Sequence, residues 1–225
     1  MSEHASPLAT ISGIDAGGQN RHVAGLAAAL VAVGHEVTVY TRRDSMVRAG
    51  RISAPGGYEV VHVPVGPPEG VPKDELMPYM VPFGSWLSSR FAESKRRPDV
   101  VHAHFWMSGI AALRGAMPRQ IPVVLTYHAH GNVKRRFQRQ DDTSPAGRMS
   151  IERQLALVVQ RVVAQCSDEV AELMALGVPA TQIRLIPSGI DLNQFQPRGP
   201  TVNKTGPRLL AVGRPVPRKG FEEVI

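Results

Sequence analysis

Two short stretches concentrate imidazoles and cations. HAHFWMSG carries His102 and His104, and TYHAHGNVKRRF carries His128 and His130, followed by Lys134, Arg135, Arg136 and Arg139. Neutral imidazole binds metals and exchanges protons near neutrality, so a metal site is the first chemistry to weigh. Alternate residues of one strand need only face a common side, and no carboxylate pattern completes a ligand set. Satisfied or ligand-facing histidines are the favoured reading, and no metal is expected. His128 stands where VVLTY runs into a loop, which lets its ring or its backbone carbonyl face a substrate. The cations behind it read either as a solvated face or as a phosphate-binding edge.

Two glycine-bearing stretches suit anions. In GIDAGGQNRHV, Gly17 and Gly18 let backbone approach a ligand, Asn20 can cap the following helix or donate a hydrogen bond, and a helix N-terminus favours negative charge. A plain capped turn explains the same residues. The stretch is not GxGxxG, and YTRRD offers no carboxylate at once for a ribose, which weakens a nicotinamide-binding reading. Arg42 and Arg43 remain available for a 2′-phosphate. In GRPVPRKG, Arg214 and Lys219 can converge on one anion between a strand ending at Gly213 and a helix opened by Gly220.

These residues need a scaffold that gathers strand ends. Val23, Leu26, Ala27, Leu30 and Val31 repeat at helical spacing and stop at Gly34, and EVTVYT follows as a strand. YEVVHVP, DVVHAHF, VVLTYH, VVAQCS, IRLIP and RLLAVG read as further strands. Between them lie a proline-interrupted aromatic helix in LMPYMVPFGSWLSSRF, a stripe over Ile151, Leu155, Val158, Val159 and Val162, and the helix SDEVAELMALG. Such alternation predicts an α/β fold with a Rossmann-like, doubly wound parallel sheet, which binds ligands beyond the carboxyl ends of its strands. QPRGPTVNKTGP marks a boundary between a unit over residues 1–199 and the start of a second unit over 206–225.

Composition narrows the partners. Twenty-six Lys and Arg against nineteen Asp and Glu give a net charge of +7, which favours anionic ligands. Aromatic residues make up only 5% of the chain and no nucleic-acid motif is present, so no nucleic acid is expected. A single cysteine, Cys166, excludes a disulfide framework and fits a reducing compartment. No run approaches membrane-spanning length and MSEHASPLATIS lacks the features of a signal peptide, so the expected location is cytoplasmic, with peripheral membrane contact left open.

The order AGGQN, GVPKDEL, HAHFWMSG, TYHAHGNVKRR, CSDEV, IPSGID and GRPVPRKGF resembles the retaining GT-B glycosyltransferases grouped with sucrose synthase, sucrose-phosphate synthase and D-inositol-3-phosphate glycosyltransferase. The resemblance covers nearly the whole chain. It implies two facing Rossmann-like domains, an N-terminal one for the acceptor and a C-terminal one for a nucleotide sugar such as a UDP- or GDP-sugar, which is a substrate, so no separate cofactor is expected. By the same resemblance Gly17 and Gly18 approach the donor phosphates, Asn20 contacts the acceptor, His128 lies beside the transferred sugar, and Arg214 and Lys219 neutralise the leaving diphosphate. Lys73, Lys134 and Arg148 match positions that grip an acceptor's phosphate, with exposed cations as the plain alternative.

Two positions depart from the inositol-phosphate enzymes: Phe105 stands where they carry tyrosine and Ala129 where they carry threonine, so two acceptor hydrogen bonds are missing. By the same resemblance the paired glutamates that bind the donor are expected beyond residue 225, and the family's apolar first strand is expected to be missing, since none precedes Glu3, which would leave its neighbouring strands unpaired. The chain alone is therefore expected to show little or no turnover. A non-catalytic phosphoryl-ligand-binding module is the alternative.

Overall fold

The computed structural model describes residues 1–9, 17–197, 199, 206, 209–213 and 220–221. Helix α1 (Gly18–Ala32) buries Val23 and Ala27 one turn apart and ends before Gly34, whose φ of +94° suits a residue without a side chain. Strand β1 (Thr38–Arg42) pairs in parallel with β3 (Glu59–Val63), and β2 (Arg51–Ser53) adds antiparallel to the outer edge of β3. Four consecutive buried residues in β3 mark a strand covered on both faces, as parallel sheets require.

A second sheet runs β4 (Val101–His104), β5 (Val123–Thr126), β6 (Arg161–Ala164), β7 (Ile183–Leu185), all parallel. Residues 1–3 join the two sheets. Ser2 N–H donates to the Tyr40 carbonyl (3.0 Å) and Arg42 N–H to the Glu3 carbonyl (3.1 Å) on one side. On the other, the Met1 amino group donates to the His102 carbonyl (2.6 Å) and His104 N–H to the Met1 carbonyl (3.0 Å), the pattern of a parallel bridge opposite Ala103. The expected strand position beside β1 and β4 is thus filled by the backbone of residues 1–3, and Ser2 and Glu3 are fully buried there. The sheet order becomes β2, β3, β1, residues 1–3, β4, β5, β6, β7, with the chain's direction of growth reversing between residues 1–3 and β4. In doubly wound sheets that reversal opens a ligand crevice.

Helices complete the crossovers. Pro78 lies in a 3-10 turn, Met77–Tyr79, and Pro82 sits in the first turn of α2 (Met80–Glu93), where its missing N–H has no helical partner to lose. Met80, Phe83, Leu87 and Phe91 form the buried stripe of α2. It packs against α3 (Trp106–Ala116) at glycines: a Cβ on Gly84 would come within 2.6 Å of Arg114 Cβ, and one on Gly115 within 2.6 Å of Leu87 Cβ. Beyond β5 come α4 (Gly131–Gln138), α5 (Arg148–Val158) and α6 (Ser167–Ala175).

The basic run at 134–139, read as a solvated face or a phosphate-binding edge, lies mostly on helix α4, with Arg135 and Arg136 exposed. Two expectations are corrected. The helical stripe through Val162 stops at Val158; Val159 turns extended and Val162 pairs in β6, because a short buried strand follows the helix after two residues. Leu209 to Gly213, expected as a strand, are unpaired among the described residues, and Leu209, Leu210 and Val212 are exposed.

Candidate active site

The carboxyl ends of β4 and β5 stand beside the sheet reversal, where doubly wound sheets bind ligands. Two residues there hold backbone conformations that side chains disfavour. Phe105, the N-cap of α3, has φ 79° and ψ 154°, a region taken almost only by glycine, and His128 has φ 60°. The β4 end is anchored by a hydrogen bond from Phe105 N–H to the Thr126 carbonyl (2.8 Å), and Phe105 is buried. Such strain persists only where surroundings over-determine it.

The loop after β5 is held from α5. Arg148 and Glu152 are both buried and pair at 2.7 Å, from Arg148 Nε to Glu152 Oε1. Arg148 Nη2 donates to the Ala129 carbonyl (2.5 Å), Glu152 Oε2 accepts from Gly131 N–H (2.8 Å), and the Tyr127 hydroxyl donates to the Glu152 carbonyl (2.6 Å). The guanidinium also lies over the Phe105 ring, 5.1 Å from its centroid. Arg148, expected as a phosphate grip, thus braces the loop that follows His128 and carries further donation to Ser144 (3.1 Å).

The histidines sort differently from their spacing in sequence. His102 turns to the Thr126 hydroxyl (2.9 Å), and His130 lies against the Tyr127 ring. His104 Nδ1 and His128 Nε2 meet at 2.9 Å, and His22, on the first turns of α1, packs edge-on to His128 with ring centroids 4.9 Å apart. Burial, and after it repulsion among the imidazoles, pushes His128 down to about 3 and His104 well below 6.5, so both rings are neutral at physiological pH. Sequence reasoning missed His22, because its role depends on which face of α1 meets β4. It also missed Glu3 and His4, which pair at 2.7 Å while Glu3 bonds to Ser108. A segment as short as residues 1–3 carries no periodicity to read.

The first turn of α1 lies over this pair. Gln19 Nε2 donates to the His104 carbonyl (3.4 Å) and to the Ser2 hydroxyl (3.1 Å). Gly17 has φ −153°, open to any residue, and a Cβ on Gly17 or Gly18 would meet nothing within 4 Å. Neither backbone strain nor packing among the described residues demands these glycines. Asn20 is buried and fully engaged: its Oδ1 accepts from Gly17 N–H (3.0 Å) and its Nδ2 donates to the Ser6 carbonyl (2.9 Å), so it shapes the turn.

Lys73 and Lys134 are paired with carboxylates within the chain. Lys73 bonds Asp74 (2.7 Å), and Lys134 reaches Asp74 (3.6 Å), Asp142 (3.0 Å) and the Ser144 hydroxyl (2.9 Å). Partial burial raises the Asp74 carboxyl, but hydrogen bonds from Lys73 and Thr143 and the two lysine charges outweigh it and bring it down to about 2. Arg42, weighed for a 2′-phosphate, donates instead to the carbonyls of Pro67 and Glu69 (both 2.6 Å). Arg214 and Lys219 lie outside the described residues.

Residues 16–194 match the family model described as Glycosyltransferase Family 4. The chain belongs to this family. Among family relatives, D-inositol 3-phosphate glycosyltransferase of Kineococcus radiotolerans is 36% identical over 200 residues, 88% of this chain and 46% of that protein. The enzyme of the same name from Xylanimonas cellulosilytica is 34% identical, with 89% and 49% covered. Sucrose-phosphate synthase from Thermosynechococcus elongatus superposes with a TM-score of 0.77 at 27% identity, over 87% of this chain and 49% of that one. The catalytic domain of starch synthase IV from Arabidopsis thaliana, at 16% identity and a TM-score of 0.56, shares the fold. The family 4 chain thus spans about half the length of these relatives. No helix among its described residues is long and apolar enough to cross a membrane.

Proposed function

We propose that this chain forms the acceptor-side half of a retaining glycosyltransferase that moves a sugar from a UDP- or GDP-linked donor to a hydroxyl of a small acceptor. One observation carries the reading: the first turn of α1, with two glycines that nothing in the described structure requires, lies against the His104–His128 pair at the crevice of the sheet. Backbone N–H groups there favour the donor's phosphates. In the transfer, the bond from the anomeric carbon to the diphosphate oxygen breaks, the acceptor oxygen bonds to that carbon on the same face, and the acceptor's proton leaves with the diphosphate. Charge grows on the departing phosphate, and Arg214 and Lys219 are the cations proposed to stabilise it. His128 is neutral, so its part is to hydrogen-bond the sugar, and its strained backbone fixes where that bond points.

The acceptor is a small hydroxylated molecule. A phosphate on it would compete with Asp74 for Lys73 and Lys134, and Phe105 and Ala129 offer it no hydroxyl. The test supplies the chain with the C-terminal half of a relative and measures nucleoside diphosphate release from UDP- and GDP-sugars with a panel of polyols, sugars and their phosphates. Acceptor-dependent release that His128→Ala abolishes is expected. Release indifferent to that substitution, or none from a folded complex, overturns the reading.

A further inference from the structure

A connected row of cations leads away from the loop after β5. Arg148 donates to the carbonyl of Ala129 (2.5 Å), the residue after His128, and to the Ser144 hydroxyl (3.1 Å). Lys134 donates to the same hydroxyl (2.9 Å), and Asp74 bridges Lys134 (3.6 Å) to Lys73 (2.7 Å). A negative group on a molecule bound beside His128 would have to be met by this row. Each cation already faces a carboxylate of the chain: Arg148 has Glu152, Lys134 has Asp142 and Asp74, and Lys73 has Asp74. Three positive charges stand against three negative ones. We infer that Asp74 and Asp142 restrict the acceptor to neutral polyhydroxy molecules and exclude phosphorylated ones.

The side chains of Lys134, Asp74 and Asp142 are 15%, 19% and 9% exposed, so solvent and salt screen the cluster poorly. Proton uptake does not relieve it. Partial burial raises the Asp142 carboxyl, but hydrogen bonds from Ser144 and Lys134 and the lysine charge bring it down, and Asp74 is held at about 2, so both are ionised at neutral pH. Neither carboxylate is free to swing away: Thr143 donates its hydroxyl to Asp74 Oδ2, and Ser144 N–H donates to Asp142 Oδ1 (3.0 Å). A phosphate entering the row would face two fixed negative charges at close range, a repulsion that lysines already paired do not cancel.

Phe105 and Ala129 add no side-chain donor for a phosphate. A neutral polyol or sugar meets no net charge here, and the fixed lysine and carboxylate groups can exchange hydrogen bonds with its hydroxyls. The inference deepens the proposed transfer and rests on it for where the acceptor sits. Phosphate binding is measured without turnover, so the two fail separately.

Isothermal titration of the full chain with inorganic phosphate at neutral pH reads the charge of the cluster directly. Asp74→Asn and Asp142→Asn are each expected to tighten phosphate by about tenfold or more over wild type, since each removes one unit charge beside the anion. Glu36→Gln makes the same change in net charge at a position 81% exposed ahead of β1, and is expected to match wild type. In the chain complemented with the C-terminal half of a relative, each polyol or sugar is compared with its own phosphate. The unphosphorylated form is expected to react with the higher kcat/KM, and Asp74→Asn to shift that ratio toward the phosphate by about tenfold. Should Asp74→Asn lose its helical circular dichroism, Asp142→Asn decides. Wild-type phosphate affinity in the folded variants, or a complemented chain that prefers a phosphorylated acceptor, overturns the inference. Absence of all turnover counts against the transfer reaction alone and leaves the phosphate titration to decide.

Discussion

Arg148 and Glu152 form an ion pair of 2.7 Å one helical turn apart, with side chains 3% and 1% exposed. Burial pushes the Glu152 carboxyl up, and Arg148 pulls it back. Pairs of this kind gain little over apolar residues of the same volume, but removing one partner leaves a buried charge alone. Their value here lies in the Ala129 carbonyl and Gly131 N–H that they hold, both in the loop that directly follows His128.

Arg148→Met should therefore destabilise the fold by about 3–5 kcal/mol, while Arg148→Met with Glu152→Leu should recover much of that loss. Urea unfolding of the two variants is the measurement. A double variant no more stable than the single one would contradict the argument.

Asp74 gives a pH dependence with a defined sign. Its folded-state value of about 2 lies below the ordinary 3.8, so its contribution to stability is fully present above 3.8 and disappears as pH falls from there toward 2. The unfolding free energies of wild type and Asp74→Asn should differ by a constant amount near neutrality and converge across that window. A gap that widens on acidification would reverse the assignment.

Phe105 combines a strained backbone with a buried ring. Deleting the ring costs roughly 3–5 kcal/mol whichever small residue replaces it. Glycine alone also releases a strain on the order of 1–3 kcal/mol. Phe105→Gly should thus be more stable than Phe105→Ala by about 1 kcal/mol or more, the reverse of the usual order of these two residues. Midpoints of denaturant unfolding for the two variants settle it.

Gly17 separates a structural from a functional glycine. With extended backbone and no neighbour for a Cβ, Gly17→Ala should change stability by no more than ~0.5 kcal/mol. In the complemented transferase the same methyl group should obstruct the donor's diphosphate and raise its KM by about tenfold, a cost near 1.4 kcal/mol. An unchanged KM would remove Gly17 from donor binding.

Where the sequence could be read, the reason was local. The parallel strands β3 to β5 announce themselves as apolar runs, and Gly34 stops α1 by its backbone freedom. The parts that could not be read depend on distance in the chain. The β2 strand of Arg51–Ser53 is three residues held by pairing to β3, too short for a pattern. Lys134 read as a cation ready for phosphate because nothing in its spacing reveals that Asp74 comes to lie beside it. His104 and His128 could be named as a pair of strand ends, but His22 joins them only through the docking of α1.

Residues 1–3 hydrogen-bond to β1 on one side and to β4 on the other, and Glu3 and the adjacent His4 reach Ser108 and the Phe105 ring at the start of α3. The proposed sugar-transfer site therefore also borders the seam along which the two halves of the sheet are stitched. A molecule lodged in it must tighten that seam, so occupancy should register far from the point of contact, as slower amide exchange at Arg42 and His104 together.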